Sequence, residues 1–188
     1  MKEIVITTNN LILRDHKVED LTLHHELISN EEVMYYLDSM RSKDLEMTKE
    51  ILDLMLDDMK QVNRKKYFLT IIKRDTNEHL GEIGYDVISQ MNEFKLINLF
   101  FLIHKKYWNN GYATEALEAL LQFAFKENDV LKVIASCYEE NEYAVKLLKK
   151  FGFIITNKVD TILRGVNKVH LEFKLTKPMY FNKTKSIK

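Results

Sequence analysis

The apolar run LFFLI at 99–103 is followed, across a polar loop, by a stretch in which Ala113, Ala116, Leu117, Leu120, Leu121 and Ala124 recur at helical spacing. A second apolar run, VLKVIASC at 130–137, comes next. A strand, a helix and a strand in so short a span require a crossover, and a crossover returns the chain parallel to where it began. The rest of the chain must fit around that unit. Upstream, YFLTIIK (67–73), LGEIGYDVIS (80–89) and EFKLINLFFLI (93–103) are rich in β-branched and aromatic residues and separated by the turn-like RDTNEH and QMNE, so they read as antiparallel strands. Downstream, NEYAVKLLKKFGF (141–153) is a helix capped by Asn141, with Ala144, Leu147, Leu148 and Phe151 on one face and Gly152 as its C′ residue. The strands FIITNKV (153–159) and KVHLEFKLT (168–176) follow it. The expected fold is α/β (α+β): a mixed, mostly antiparallel central sheet with helices on both faces.

The N-terminal third fits the same plan. IVITTNNLILRD (4–15) reads as two short strands around Asn9 and Asn10. VEDLTLHHELIS (18–29) is helical, with Leu21, His25 and Ile28 one turn apart, and Asn30 is placed as N-cap of a helix over EEVMYYLD (31–38). A third helix is expected over 46–62, with Ile51, Leu52, Met55, Met59 and Val62 on one face. At 188 residues the chain suits one domain, assigned to 1–178, with a basic, solvated tail over 179–188 that ends in KTKSIK.

Charge and composition remove several functions. The 28 basic residues equal the 28 acidic ones, so no strongly basic surface exists to drive nucleic-acid binding. The apolar runs are far shorter than a membrane span, and the N-terminus lacks the apolar stretch of a secretion signal. A single cysteine, Cys137, excludes an internal disulfide and suits a reducing compartment, so a cytoplasmic location is expected. No zinc spacing is present. His24 and His25 are adjacent on a helix and diverge, which argues against a metal shared between them.

The loop before the second-half helix, HKKYWNNGYAT (104–114), allows two readings. Gly111 and Ala113 serve an ordinary strand-to-helix turn, or they let the backbone approach an anion held on the helix N-terminus, with the Thr114 hydroxyl at its mouth. Glu82 and Asp86 share one face of their strand by alternation, opposite Ile83, Tyr85 and Val87; they are either solvated carboxylates or a general base. The glycines of GEIG (81–84) read as close packing.

YWNNGYATEA (107–116) resembles the acetyl-CoA pyrophosphate loop of the GNAT N-acetyltransferase superfamily, [QR]-x-x-G-x-[GA], and most closely the ribosomal-protein N-terminal acetyltransferase branch, where it commonly reads Y-W-G-K-G-Y-A-T-E-A. Trp108 stands at the Gln/Arg position, and Asn109 replaces that branch's first glycine. LILRDHKVEDL (11–21) is similar to the branch's opening strand and helix, and NEYAVKLLKKFGF to its second motif, so the resemblance spans nearly the whole chain. It implies acetyl-CoA as co-substrate, held in a gap between splayed strands. Backbone at Phe101, Leu102 and Ile103 would hold the pantetheine arm and the thioester, residues Trp108, Asn109, Asn110, Gly111, Tyr112, Ala113 and Thr114 would form the pyrophosphate loop, and Asn141 would add a contact.

The reaction implied is direct attack of a primary amine on the thioester in a ternary complex. Glu82 is the expected base, directly or through a water. Asn98 stands where relatives often have Glu, and it orients a water rather than accepting a proton. Leu148 replaces the Tyr acid of many members, leaving Tyr138, Tyr143 and Cys137 as nearby substitutes. His104 is a titratable or a structural residue before the loop. The acceptor is a protein N-terminus, such as a ribosomal protein's, or a small amine such as a polyamine or aminoglycoside. A non-catalytic acyl-CoA-binding module is the competing class, and a homodimer is an assembly the resemblance allows.

Overall fold

A computed structural model describes residues 3–92 and 94–185, the last two by backbone alone. Eight strands hydrogen-bond in the order β1-β2-β3-β4-β5-β6-β8-β7, and all ladders with a described register are antiparallel except β5 with β6. The chain's contacts fall into two compact units: the residues up to Asp86 with Phe100–Leu120, and Val87–Leu99 with the residues from Leu121 on.

In the first unit, β1 (Val5–Thr7) and β2 (Leu11–Asp15) form the hairpin expected around Asn9 and Asn10. β2 pairs with β3 (Lys66–Lys73), which pairs in turn with β4 (His79–Met91). β3 is buried from Tyr67 through Ile72, because its near-continuous apolar sequence is covered on both faces. Both glycines of GEIG serve close packing, as expected. A Cβ on Gly84 would lie 2.3 Å from the Tyr67 carbonyl oxygen, and one on Gly81 2.1 Å from that of Leu102.

The helices of this unit depart from expectation in detail. α1 (Leu21–Ile28) buries His24, Leu27 and Ile28, so the inward stripe runs through His24 and not His25. No α-helix forms over 31–38. Asn30 caps a turn, its side-chain oxygen accepting from the Glu32 and Val33 amides, and a kinked 3₁₀ segment, Tyr35–Met40, follows. Met34 nonetheless seats against Leu27, Ile28 and Leu102 in a small buried cluster, which outweighs regular helix geometry there. α2 (Leu45–Met59) starts at Asp44, whose carboxylate accepts from the Met47 amide, and stops short of Val62, which is 94% exposed.

In the second unit, β5 (Phe94–Ile103) contributes Phe94–Leu99 and runs parallel to β6 (Val130–Tyr138). The crossover helix between them is α3 (Tyr112–Glu127), which belongs to the first unit through Leu120 and to the second from Leu121, and whose Ala116, Leu117, Leu120, Leu121, Ala124 and Phe125 are buried. The parallel ladder has its last rung at Asn98↔Ile134, although both strands continue. β6 pairs with β8 (Val166–Thr176), and β8 with β7 (Ile154–Leu163). Between β6 and β7, α4 (Glu142–Lys150) is capped by Asn141, which accepts from the Ala144 amide. It ends on Gly152 at φ +89, as its sequence requires.

The expected solvated tail is a helix instead: α5 (Lys177–Lys185) buries Tyr180 against the Phe125 ring, with centroids 5.3 Å apart. One aromatic ring gained from the core outweighs the polar bias of the segment. Residues 186–188 of the tail lie outside the described residues.

Candidate active site

The loop from β5 to α3 is built to hold its backbone open. After Ile103, His104 donates its amide to the Leu80 carbonyl, and a 3₁₀ turn covers Lys105–Tyr107. The Trp108 indole N–H donates to the Ile103 carbonyl at 2.7 Å, tying the loop back to the end of β5. Asn110 Nδ2 donates to the Trp108 carbonyl, and the Tyr107 hydroxyl to Glu78 Oε1. Asn109 sits at φ +62 and Gly111 at φ +81, two left-handed residues in a span of three. Asn is among the few side chains that tolerate this region, which explains how Asn109 stands in for the glycine of the branch.

The helical ladder of α3 opens with the Glu115 amide donating to the Gly111 carbonyl at 3.1 Å. The amides of Tyr112, Ala113 and Thr114 therefore precede the first rung, at the positive end of the helix dipole. A Cβ on Gly111 would meet nothing within 4 Å, so the glycine is there for its conformation and not for packing against the chain. Lys105 and Lys106 flank the loop; Lys105 pairs with Glu32, and Lys106 lies 4.7 Å from the Tyr107 ring centroid.

Glu115 has a function that sequence reasoning missed. Its carboxylate accepts from Thr8 Oγ1 at 2.6 Å, from the Asn10 amide at 2.7 Å and from Asn10 Nδ2 at 2.9 Å. Burial works against its charged form, but these bonds outweigh that and hold the carboxyl below its ordinary range. The first turn of α3 is thereby clamped to the β1–β2 hairpin. The signal was available in the paired asparagines, whose donors need an acceptor, though nothing local pointed to residue 115.

Glu82 and Asp86 behave differently despite sharing a strand face. Asp86 is partly exposed and 3.2 Å from Lys66 Nζ, an ordinary surface pair. Glu82 is 1% exposed, and neither a solvated carboxylate nor an open base describes it. Its Oε1 is 2.6 Å from His24 Nδ1, and its Oε2 is 3.8 Å from His16 Nε2. His16 is held on its other side by Thr70, 3.1 Å from Nδ1, and its ring meets that of His24 edge-on at 5.3 Å. Burial works to raise the Glu82 carboxyl, but the imidazole of His16 and the hydrogen bond from His24 hold it below its usual value. Burial lowers His16, with Glu82 offsetting it only in part. His24 and His25 do diverge: His25 Nδ1 lies 2.7 Å from Thr48 Oγ1. The sequence could not show that His16 and Glu82 join His24, because the three are distant along the chain.

His79 and His104 form a second edge-to-face pair, centroids 5.3 Å apart. Neither ring nitrogen of His79 has a hydrogen-bond partner among the described residues, and burial pushes its pKa down to about 4. The unfolded chain takes up this proton near pH 6.5 and the folded chain only near 4, so stability is complete above the upper value and drains away as pH falls through the window. The shift corresponds to about 3 kcal/mol. Unfolding free energies from urea titrations should decline by that order between pH 7 and 4, and a His79→Leu chain should show a flatter curve; identical slopes would refute the assignment.

In the second unit, Asn98 is half-buried at the last parallel rung and Asn141 serves as the N-cap described above. Leu148 is core, at 1% exposure. Burial raises the Cys137 thiol to about 11, which keeps it protonated and unreactive at neutral pH. Tyr143 is exposed, while the Tyr138 ring packs edge-on against His170.

A parallel crossover flanked by antiparallel strands, with an open-backbone loop leading into the crossover helix, is the frame on which the candidate site is built. The sequence model of the acetyltransferase (GNAT) domain family matches residues 10–154, and the chain belongs to that family. It is a GNAT-type N-acetyltransferase. The uncharacterized N-acetyltransferase YnaD of Bacillus subtilis (strain 168) is 29% identical over 147 residues, 78% of this chain and 81% of YnaD. The spermidine N-acetyltransferase of Vibrio cholerae, solved with CoA and spermine, superposes with a TM-score of 0.80 at 16% identity, covering 93% of this chain and 100% of that one. The ribosomal-protein-S5-alanine acetyltransferase of Vibrio fischeri gives 0.80 at 14% identity, covering 94% and 98%. At these identities the two structures share the fold with this chain. Among the described residues no helix is long and apolar enough to cross a membrane.

Proposed function

We propose that the protein transfers the acetyl group of acetyl-CoA to a primary amine by direct attack within a ternary complex. The observation that carries this reading is the loop ending at Gly111, with Asn109 and Gly111 left-handed and three helix-start amides ahead of the first rung of α3. Amides so arranged suit the two charges of a pyrophosphate. In this reading Trp108 to Thr114 hold the pyrophosphate, the backbone of Phe101 to Ile103 holds the pantetheine arm and the thioester, and Asn141 adds a contact. Asn98 orients a water.

We assign proton acceptance to His104 rather than to Glu82. His104 is half-buried where β5 ends, and burial together with Lys106 lowers its pKa, so it is neutral and able to accept a proton at pH 7. Glu82 is sealed from solvent, and hydrogen bonding has made it a weaker base. The acceptor is a protein N-terminus or a small amine such as a polyamine. Names of structural neighbours point to both classes.

The test is a panel of polyamines, aminoglycosides, N-terminal peptides and ribosomal proteins incubated with acetyl-CoA, read by free-thiol release and by product mass. Wild type should acetylate at least one class. On that acceptor, His104→Gln should lower turnover at pH 7 by about 100-fold or more with acetyl-CoA affinity kept, the ordinary range for losing a general base. Loss of turnover in Glu82→Gln with full turnover in His104→Gln would return the base to Glu82.

A further inference from the structure

We propose that His16, His24 and Glu82 form a buried site for a divalent first-row transition metal of the zinc class. One donor atom from each residue lies within 4.8 Å of the others, and all three side chains are about 1% exposed. The set has two imidazoles and one carboxylate, a donor set that suits zinc, cobalt or nickel. Magnesium and calcium require more oxygen ligands than one carboxylate supplies.

Two further observations point to a ligand. His16 Nε2 is buried, faces Glu82 Oε2 at 3.8 Å, and has no hydrogen-bond partner among the described residues. At that distance it makes no hydrogen bond, yet a buried imidazole nitrogen left unpaired is costly. The opposite nitrogen of the same ring sits 3.1 Å from Thr70 Oγ1, the outer contact that commonly fixes the tautomer of a metal-bound histidine.

The spacing also fits. Ligands at zinc distances around a tetrahedron lie about 3.3 Å from one another. Two of the three separations, 2.6 Å for His24–Glu82 and 3.8 Å for His16–Glu82, bracket that value, and all three lie within 4.8 Å. In the metal-free chain the only one of the two imidazoles that hydrogen-bonds Glu82 is His24, at 2.6 Å. For His24 Nδ1 to ligate, its proton must leave that atom, and a neutral ring does this by shifting it to Nε2, leaving two neutral imidazoles and a carboxylate on the ion. Three protein donors leave the fourth position to a water or a small anion.

The three ligands come from different parts of the first unit: the residue after β2, the middle of α1, and β4. An ion there ties α1 to the sheet. Its role is structural and goes beyond the acetyl-transfer reading, because it involves none of the residues assigned to acetyl-CoA.

The experiment uses the untagged full chain, stripped with a chelator and then titrated with Zn²⁺ or Co²⁺ alone. One equivalent of metal per chain should remain after gel filtration, with a rise in thermal midpoint and, for Co²⁺, the visible absorption of a tetrahedral site. His16→Leu should lower the affinity at least 100-fold and abolish the cobalt spectrum. Thr70→Val keeps all three ligands and should weaken binding about 10–100-fold, which guards against a ligand variant that fails to fold. Substoichiometric metal, an absent cobalt spectrum, or affinity unchanged in both variants would overturn the site. None of these readouts depends on acetyl transfer, so the two proposals fail separately.

Discussion

A Gly111→Val chain is expected to lose acetyl-CoA binding by about 100-fold or more while remaining folded. Gly111 holds φ at +81, a region that L-residues enter at a cost of about 1–2 kcal/mol, and more when β-branched. Apart from its two chain neighbours, no described residue has an atom within 4 Å of the Cβ the substitution adds, so that Cβ meets no clash. The strained loop can relax by rotating out of the left-handed region, and that turns the amides of Tyr112 to Thr114 away from a common point. A hydrogen bond to a charged group contributes about 1.5–3 kcal/mol, so misplacing two of them accounts for the loss.

Gly165 supplies the control. It sits at φ +79 in the β7–β8 hairpin turn, also with nothing within 4 Å of an added Cβ. Gly165→Val carries the same conformational cost elsewhere and should leave affinity intact. Calorimetric titration of acetyl-CoA into both variants, with thermal unfolding of each, checks the pair. Equal affinity in Gly111→Val and wild type would remove the pyrophosphate assignment.

The second large effect is on stability. Arg64 and Asp15 form a bidentate pair, Nη2–Oδ1 at 2.6 Å and Nη1–Oδ2 at 3.0 Å, with both side chains at most 2% exposed. Arg64 Nε also donates to the Lys66 carbonyl, its guanidinium lies 4.6 Å from the Tyr67 ring centroid, and Asp15 Oδ2 accepts the Ile4 amide. Every charge in this group is accounted for, so removing one partner strands the other in the interior. Arg64→Met should cost about 3–5 kcal/mol. Asp15→Leu combined with Arg64→Met should cost less than the two single changes summed, because no charge is then left unpaired. Urea denaturation of the four chains gives the coupling directly; additive losses would show that the pair is not the source of the effect.

Legibility in the sequence followed the range of the interaction. The crossover strands, the α3 and α4 faces, the Asn141 cap and Gly152 were readable because period, caps and turn chemistry act within a few residues. The same locality made Asn30 a helix cap on paper. In the structure it caps only a turn, since Met34 gains more by packing beside Leu27, Ile28 and Leu102 than a regular helix would provide. Val62 fitted the α2 periodicity, but the helix ends at Met59 and leaves it exposed. Tyr180, in a segment whose composition reads as solvated, is buried by Phe125, a residue far from it in the chain.

The candidate site divides in the same way. Gly111 was legible in the sequence as a turn or loop glycine before a helix, and its left-handed backbone, like that of Asn109, leaves few residue types to choose from. The fate of each carboxylate was decided by the tertiary structure alone. Glu82 and Asp86 share one strand face, yet α1 and the residue after β2 place two imidazoles over the first, while the second reaches only Lys66 at the surface. Strand alternation specifies which way a side chain points, and the charge it carries depends on what the rest of the chain places opposite it.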